Sequence, residues 1–441
     1  MRRLPLLLAS LLLPLLAPTL VHAAPGAVTG GSLAYGDGTT IIDVLVVTTP
    51  PVSCGTGCTQ TTIKLTEREV APLAGTGCVS ESALTIACTV ISAAPELRIT
   101  GSEGSDIVDA SGSAVAPTIG FGGGDDTAFW CDCPAAPIAV DGGAGTDTLS
   151  FERAPRGIQL VQGGIVAMET LVGSVHADVL DVPVRSIFAN DGNDIVRSGA
   201  LAQVIDLGGG NDVFVEQSPV KHAQVVTGGT GRDRYEANGT KREKFEICLD
   251  ERAVVCPMYD GRKFERDRIG SDVEEVRMFG TSDDLLIGSP VANTLEGGGG
   301  NDILIGGAGA DTLRGGAGLD LASFAIATLD PRGVHVTFDG RRNDGNPRSD
   351  LVGTDIEIVA GTRKNDKLIG GRGLDALFGD AGNDTIVGGK GPDLLVGGPG
   401  NDVIDARDGV KDEIECGPGS DRIRADLFDT ITKDCEFRRF T

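Results

Sequence analysis

The chain has 441 residues, a formal net charge of −25, 65 glycines and few aromatic side chains. So acidic a surface repels phosphate backbones, which argues against nucleic-acid binding. The recurring Leu, Ile and Val exclude a disordered chain, and glycines without a strict three-residue period exclude collagen. Asp outnumbers Glu, a bias that favours tight turns and oxygen-ligand cation sites over helices.

Residues 1–23 have the features of a secretory signal sequence. Arg2 and Arg3 form a charged start, Leu6–Leu16 supply an apolar run, and Val21-His22-Ala23 fits a cleavage site. No later apolar stretch approaches the ~20 residues of a transmembrane helix. We therefore expect a secreted, extracellular protein without a transmembrane segment.

The segment 24–100 predicts a small β module with disulfides. Its stretches Ile41–Thr49 and Ser82–Ser92 are rich in Thr and Val. Ten cysteines in an exported chain favour disulfides over free thiols. Pairing of sequence neighbours is the simplest hypothesis, and it gives Cys54/Cys58, Cys78/Cys88, Cys131/Cys133, Cys248/Cys256 and Cys416/Cys435. A zinc site is the alternative, but no C-x-x-C pair or nearby His supports it.

Gly-rich units of nine residues with Asp at the sixth position recur through residues 101–236. They cover Gly101–Asp109, Gly142–Ser150, Ala189–Arg197, Leu207–Val215 and Gly228–Glu236. The motif returns about every 18 residues, which is twice the length of one unit. We interpret this region as a degenerate β-roll whose turn sites lie on one edge.

Two segments, 237–275 and 324–360, interrupt the repeats. Asp267–Glu274 matches Asp350–Glu357 in sequence, and likewise Pro155–Leu160 matches Pro331–Val336. The matches predict tandem blocks, each of which leaves the roll as hairpin excursions that cover it and returns at a Glu. The stretch Asp339–Asp350 is rich in oxygen ligands, but a solvated hairpin tip is favoured over a second cation site.

Near-exact copies with a period of nine cover about 284–323 and 361–424, within the predicted rolls 276–323 and 361–424. Gly297–Ile305 is followed by Gly306–Arg314 and then by Gly315–Asp320. An apolar residue stands two positions after each Asp, which predicts a six-residue turn and a three-residue strand whose middle side chain points inward. Stacked coils of this kind form a parallel solenoid, and residues 425–441 would cap it.

The unit G-G-x-G-x-D-x-U-x resembles the hemolysin-type calcium-binding repeat of RTX proteins. The resemblance implies an all-β, right-handed parallel β-roll in which two stacked turns on one edge share a Ca²⁺ ion. It also implies that the carbonyls of turn positions one and three join the Asp of position six. The residues so assigned are Asp284, Asn293, Gly297, Gly299, Asp302, Gly306, Ala308, Asp311, Gly315, Ala317, Asp320, Asp366, Gly370, Arg372, Asp375, Gly379, Ala381, Asp384, Gly388, Lys390, Asp393, Gly397, Pro399, Asp402, Asp412 and Asp421.

Simple turn chemistry is the competing explanation, since an Asp in a turn can do no more than accept backbone hydrogen bonds. Many carboxylates stacked in register would however repel one another without a counter-ion. Signatures of catalysis are absent from the sequence, because it contains neither H-E-x-x-H nor G-x-S-x-G. We therefore expect a calcium-binding protein with a structural or interaction role that folds on Ca²⁺, and a cell-surface or matrix partner. A secreted hydrolase or polysaccharide-modifying enzyme, stabilised by the repeats, is the alternative.

Overall fold

The computed structural model describes the chain in segments. Between residues 27 and 100 it gives the strands alone. Beyond them it describes 105–112, 117–130, 138–161, 164–198, 202, 204–216, 224–239, 244–249, 268–325, 333–345, 349–435 and 437–440. The predicted signal sequence lies outside these described residues.

The strands are short and follow one another closely. The N-terminal ones are β1 Ala27–Thr29, β2 Ser32–Tyr35, β3 Asp43–Thr48, β4 Val52–Gly55, β5 Cys58–Glu67, β6 Cys78–Ser82, β7 Thr85–Ser92, β8 Glu96–Thr100, β9 Ile107–Gly112, β10 Pro117–Gly120, β11 Thr127–Phe129, β12 Ala139–Asp141, β13 Thr148–Ser150, β14 Gln159–Val161 and β15 Ile165–Val166. Next come β16 Thr170–Val172, β17 Val179–Val182, β18 Ser186–Phe188, β19 Ile195–Ser198, β20 Val204–Asp206, β21 Gly209–Gly210, β22 Val213–Glu216, β23 Val225–Thr227, β24 Thr230–Gly231, β25 Arg234–Gly239, β26 Glu246–Cys248, β27 Arg268–Ile269, β28 Glu275–Gly280, β29 Leu285–Ile287 and β30 Thr294–Gly299. The last are β31 Ile303–Ile305, β32 Thr312–Ala317, β33 Leu321–Ser323, β34 His335–Thr337, β35 Leu351–Val352, β36 Ile358–Ala360, β37 Lys367–Ile369, β38 Ala376–Phe378, β39 Thr385–Val387, β40 Leu394–Val396, β41 Val403–Asp405, β42 Glu413–Glu415, β43 Arg422–Ala425, β44 Thr430–Ile431 and β45 Phe437–Phe440.

Five long sheets form the walls of a β-solenoid of about 14 turns, and the described residues include no helix. Their strand orders are β1-β2-β8-β10-β12-β15 (sheet I), β27-β23-β20-β18-β16-β13-β11-β9-β3-β5-β7-β6 with β4 beside β5 (sheet II), β14-β17-β19-β22-β25-β28-β30-β32-β35 (sheet III), β26-β29-β31-β33-β36-β38-β40-β42-β44 (sheet IV) and β34-β37-β39-β41-β43-β45 (sheet V). From β8 onward, neighbouring strands in these sheets are parallel and pair at equal register, as between Thr385 and Val403. This confirms the parallel β-roll predicted from the nine-residue period.

The core is a ladder of the middle residues of the strands. Ile386 in β39 and Ile404 in β41 are fully buried, while the strand residues on either side are partly exposed. Such a strand is too short to bury a core by itself, so each coil depends on the coils before and after it. The predicted inward position is therefore confirmed.

Three junctions change the pair of sheets that form the coil. At the first, β14 begins sheet III and β15 ends sheet I; at the second, β26 begins sheet IV and β27 ends sheet II; at the third, β34 begins sheet V and β35 ends sheet III. The matching sequence blocks lie at these junctions. Their described strands β14, β26 and β34 are rungs of the roll, because Leu160, Ile247 and Val336 are buried in the core. Antiparallel bridges join His335 to Gly345 and Asp344 to Asp350, so a hairpin excursion leaves the roll after β34.

The N-terminal strands extend two of these sheets. β2 pairs with β8 in sheet I, and β3 pairs with β9 in sheet II before the antiparallel strands β4–β7. The backbone register sets Cys78 opposite Cys88, as their predicted pairing requires. At the other end, the structure pairs Cys416 with Cys435, whose Cα atoms are 5.3 Å apart, a separation suited to a disulfide. No helix long and apolar enough to cross a membrane occurs among the described residues.

Candidate metal-binding turns

Each repeat Asp is tied to the neighbouring coil of its own edge. The backbone N–H of Asp384 donates to Oδ1 of Asp402 at 2.8 Å, and the N–H of Asp402 donates to Oδ1 of Asp421 at 2.8 Å. The same bond recurs through the described roll, so the carboxylates stand above one another in columns. One carboxylate oxygen of each later Asp thus holds the coil before it.

Six columns can be defined by their members. They are column 1 (Asp106, Asp126, Asp147), column 2 (Asp178, Asp194, Asp212, Asp233), column 3 (Asp284, Asp302, Asp320), column 4 (Asn293, Asp311, Asp350), column 5 (Asp366, Asp384, Asp402, Asp421) and column 6 (Asp375, Asp393, Asp412, Asp429). Column 2 occupies one edge of its roll, as the spacing predicts. Columns 5 and 6 occupy opposite edges of the C-terminal roll, because their strands belong to sheets V and IV.

A Glu closes three of the columns. Oε2 of Glu169, Glu274 and Glu357 accepts the N–H of the last Asp in columns 1, 2 and 3, at 2.9, 2.8 and 3.0 Å. These are the Glu residues at which the sequence blocks return to the roll. At Glu274 and Glu357 a five-residue turn, Gly270–Glu274 or Gly353–Glu357, replaces the six-residue turn, and the longer Glu side chain spans the difference.

The other carboxylate oxygen of the repeat Asp, Oδ2, is buried and lacks a hydrogen-bond partner in most of the turns that stack on a preceding six-residue turn of the same edge. Among the described residues this holds for Oδ2 of Asp126, Asp147, Asp194, Asp212, Asp233, Asp302, Asp311, Asp320, Asp384, Asp393 and Asp402. A buried, unsatisfied carboxylate oxygen is costly, and each column repeats that cost coil after coil. The arrangement is the one that a bound cation would satisfy.

Burial controls the protonation of these groups. It raises the pKa of Asp384 to about 7, against the effect of the Asp366 amide, and repulsion from Asp366 and Asp402 adds to the rise. Burial likewise raises the pKa of Asp302 and Asp393 to about 7. A cation beside the carboxylates would reverse the effect, because it favours the charged form.

The glycines of the repeat follow from the close stacking of the turns. The position of a Cβ at Gly297 is filled by the carboxylate of Asp302, which folds back over its own turn. Gly318 has φ of +154° and a Cβ there would collide with the carbonyl oxygen of Gly300 in the turn before. The glycine at position one of the turn therefore makes room for the acid, and the glycine at position four makes room for the neighbouring coil.

The third carbonyl of the turn is already part of the stacking. The N–H of Gly300 donates to the carbonyl of Ala317 at 2.9 Å, and the N–H of Gly382 donates to that of Pro399 at 3.0 Å. A carbonyl oxygen has two lone pairs, so each such bond leaves one lone pair for a cation. No group of three or more carboxylate, imidazole or thiolate side chains converges on one point within the described residues. A metal site here must therefore draw on backbone carbonyls.

The turns before Asp375 and Asp412 depart from the repeat pattern. In the turn Gly370–Asp375 the N–H of Gly371 donates to Oδ2 of Asp375 at 2.6 Å, so that oxygen has a partner within its own turn. The turn before Asp412 contains the extra residue seen in the sequence, and Asp408 inside it accepts the N–H of Gly391 at 2.7 Å. The remaining predicted residues lie in the stacked turns, where their role as ligands stays a prediction.

In the stretch Asp339–Asp350 the tip residues Asp339–Arg342 are exposed, as the favoured solvated tip requires, but the acids that follow them are not. Asp344 is fully buried and accepts the N–H groups of Thr337 and Val352 at 2.7 and 2.9 Å. Arg342 donates to the carbonyl of Ala310 at 2.7 Å and to Oγ1 of Thr312 at 2.6 Å, so its positive charge caps the last turn of column 4.

Sequence reasoning missed a second, outer ladder. The N–H of Asn383 donates to Oδ1 of Asn365 at 2.8 Å, and the N–H of Asn401 donates to Oδ1 of Asn383 at 2.8 Å. Asn193, Asn211 and Asn301 do the same in the earlier rolls. The signal was the Asn that often precedes the repeat Asp, which a search for metal ligands ignores.

The comparisons with known proteins agree with this geometry. A family model of the RTX calcium-binding nonapeptide repeat, in four copies, matches residues 287–322, 352–386 and 378–410. The matched segments contain columns 4, 5 and 6 in part and the last turns of column 3. No curated protein matches the chain.

Proposed function

We propose that this chain, which carries RTX calcium-binding nonapeptide repeats in its C-terminal region, is an exported protein whose β-roll folds on binding Ca²⁺. Its role is structural or one of interaction rather than catalytic, with a cell-surface or matrix partner. One observation carries the metal-dependent part: successive stacked turns each bury a carboxylate oxygen that the protein leaves without a partner.

The donors suit calcium. Ca²⁺ takes six to eight hard oxygens in flexible geometry, and each pair of stacked turns offers carboxylates and backbone carbonyls. Asp302, Asp320, Asp384, Asp393 and Asp402 supply the carboxylates, and the first and third residues of the turns supply the carbonyls. Mg²⁺ demands a tighter octahedral geometry and is released from water reluctantly, so the same turns select against it.

The proposal extends to the N-terminal columns. Asp194, Asp212 and Asp233 in column 2 have the same bond through Oδ1 and the same buried Oδ2 without a partner. Burial raises the pKa of Asp194 and Asp233 to about 7, as it does for Asp302. We therefore assign calcium to column 2 as well, although the family model matches none of its turns.

Calcium binding would couple folding of the roll to export of the chain. Without the ion, stacked carboxylates repel and the short strands bury little apolar surface to oppose this repulsion. With it, binding free energy becomes folding free energy. Extracellular modules bind Ca²⁺ at about 10⁻⁴–10⁻³ M, so arrival in a calcium-rich medium would complete the fold.

A titration of the full mature chain tests the proposal. Circular dichroism should show a cooperative gain of β signal as Ca²⁺ is added to chelated protein, with calorimetry counting several ions per chain. Mg²⁺ at the same concentrations is the control and should give little change. Equal spectra and equal melting in chelator and in Ca²⁺ would rule the proposal out.

A further inference from the structure

The turns that open the columns differ from the turns that follow them. In Gly361–Asp366, which opens column 5, the N–H of Thr362 donates to Oδ2 of Asp366 at 2.5 Å and its hydroxyl donates to Oδ1 at 2.9 Å. The next turn of the column, Gly379–Asp384, has Gly and Asp in its first two positions and leaves Oδ2 of Asp384 without a partner.

The same chemistry recurs at two other openings. The N–H and the hydroxyl of Ser174 both donate to Asp178 at 2.7 Å in the turn that opens column 2. In column 4 the N–H of Ser289 donates to Oδ1 of Asn293 at 2.7 Å. Each of these turns has the sequence G-[S/T]-x-x-x-[D/N], in which the hydroxyl residue replaces the second glycine of the repeat.

In the turns that open columns 3 and 6, other groups of the same turn donate hydrogen bonds to the Asp carboxylate. The hydroxyl of Ser282 donates to Oδ2 of Asp284 at 2.9 Å in column 3, and the N–H of Gly371 fills this role for Asp375 in column 6. In columns 2 to 6 the first acid or amide therefore has an internal donor for the oxygen that its successors leave unpartnered.

The position of these turns explains the difference. Before each of them the edge has no complete six-residue turn: Ile158, Phe245 and Val334 stand in the acid position of the first strands of sheets III, IV and V, and Glu274 and Glu357 end shortened turns. An ion shared by two stacked turns has only one of its two partners there. A donor from the turn itself must take its place.

We infer that the opening turns of columns 2 to 6 are complete without a metal ion, and that the three junctions are calcium-independent brackets from which the calcium-loaded coils extend. The inference rests on the proposed function, since it divides the turns into those that bind Ca²⁺ and those that do not. All five opening turns, those of Asp178, Asp284, Asn293, Asp366 and Asp375, lie directly after a junction. The fold in low calcium then consists of ordered junctions separated by loose coils.

Hydrogen exchange on the full mature chain tests this inference turn by turn. Chelation should speed exchange in the peptides over 379–405 at least about tenfold more than in those over 170–182 and 358–369. If exchange in the opening turns rises as much as in the later turns, the inference fails while calcium binding stands. If chelation changes exchange nowhere, the inference and the proposed function both fail.

A pair of substitutions gives an independent readout. Thr362→Val keeps the shape of the side chain and removes its hydroxyl, so it should lower the melting temperature equally in chelator and in Ca²⁺ and leave the number of bound ions unchanged. Asp384→Asn should lower the number of bound ions and, because it removes a repelling charge, should not lower the melting temperature in chelator. Loss of a calcium ion in Thr362→Val would overturn the inference, because it would make the opening turn a metal site.

Discussion

The N-terminal roll, between residues 164 and 239, and the C-terminal roll, between residues 351 and 435, share one coil geometry but are held together differently. The N-terminal roll carries acids on one edge, in column 2, while its other edge is closed by the buried apolar residues Val184 and Ala202. The C-terminal roll carries columns 5 and 6 on opposite edges. Each of its coils therefore has stacked acids on both sides.

The cores of the two rolls also differ, in the size of their buried side chains. Phe214 and Tyr235 are fully buried in the N-terminal roll, with ring centroids 5.8 Å apart. The inward ladder of columns 5 and 6 is made of Leu and Ile alone. Fewer like charges and larger buried side chains both favour folding without metal, so we expect calcium dependence to be graded along one solenoid.

The largest effect should come from removing calcium altogether. We expect chelation to abolish the protection of the C-terminal coils that follow the opening turns of Asp366 and Asp375, and to loosen the coils after Asp178 much less, because only the former have acids on both edges. Limited proteolysis in chelator should therefore cut residues 379–435 into small peptides faster than it cuts 164–239. Equal cleavage of both rolls would contradict the comparison.

Removing a single charge from one column should test the difference between the two rolls more finely. Asp384→Asn keeps the oxygen that holds the preceding coil and removes the charge at the partnerless one. We expect the calcium midpoint of the C-terminal roll to rise about tenfold, which corresponds to roughly 1.4 kcal/mol. Asp212→Asn should make the same local change in the N-terminal roll with a smaller effect on its melting.

Asp405→Asn is the matched control for both variants. Asp405 lies on the outer face of β41, where it pairs with Arg407 at 2.7 Å, and removing its charge leaves the turns intact. Its calcium midpoint should match that of the unaltered protein. A shift as large as that of Asp384→Asn would mean that overall charge, rather than the turn sites, sets calcium affinity.

The periodic part of this fold was predictable, and the junctions were not. A nine-residue period with Leu or Ile two places after each Asp, as at Asp302 and Leu304, fixes turn, strand and inward face together. The first strand of each new sheet has no such mark, because Phe245 or Val334 stands where the acid would be. The role of Thr362 as a donor to Asp366 could not be predicted either, since it depends on the absence of a complete turn before it on the same edge.

Acidity should partly replace calcium. Burial raises the pKa of Asp384 and Asp393 to about 7 in the folded chain, above the ordinary value of 3.8, so the fold binds protons more tightly than the unfolded chain does. This stabilisation is fully present below pH ~4 and is lost as the pH rises through about 7. Chelated protein should therefore melt higher at pH 5 than at pH 8.

The same protons compete with the metal. In Ca²⁺ the midpoint of the titration should rise as the pH falls from 8 to 6, because a protonated carboxyl is a poor ligand. Melting curves and titrations at matched ionic strength would measure both trends. A chelated protein that is more stable at pH 8 than at pH 5 would show that the column acids are ionised and already paired.

The smallest effect on calcium binding should come from the C-terminal clasp, the disulfide between Cys416 and Cys435. Cys416 and Cys435 are 19 residues apart in sequence and join the last coils of sheets IV and V. A loop of this length stabilises a fold by about 3 kcal/mol, through the unfolded chain, and here the gain is confined to the end of a stack whose coils contact only their neighbours. Cys416→Ser with Cys435→Ser should therefore speed hydrogen exchange in β43 and β44 and leave that in β37 and β39 unchanged, with calcium present throughout. Reductant added to the unaltered protein should reproduce the result, and thiol labelling of the denatured, unreduced protein should find no free cysteine. Faster exchange throughout the C-terminal roll would instead mean that the clasp holds the whole stack and that its coils are more cooperative than the ladder geometry implies.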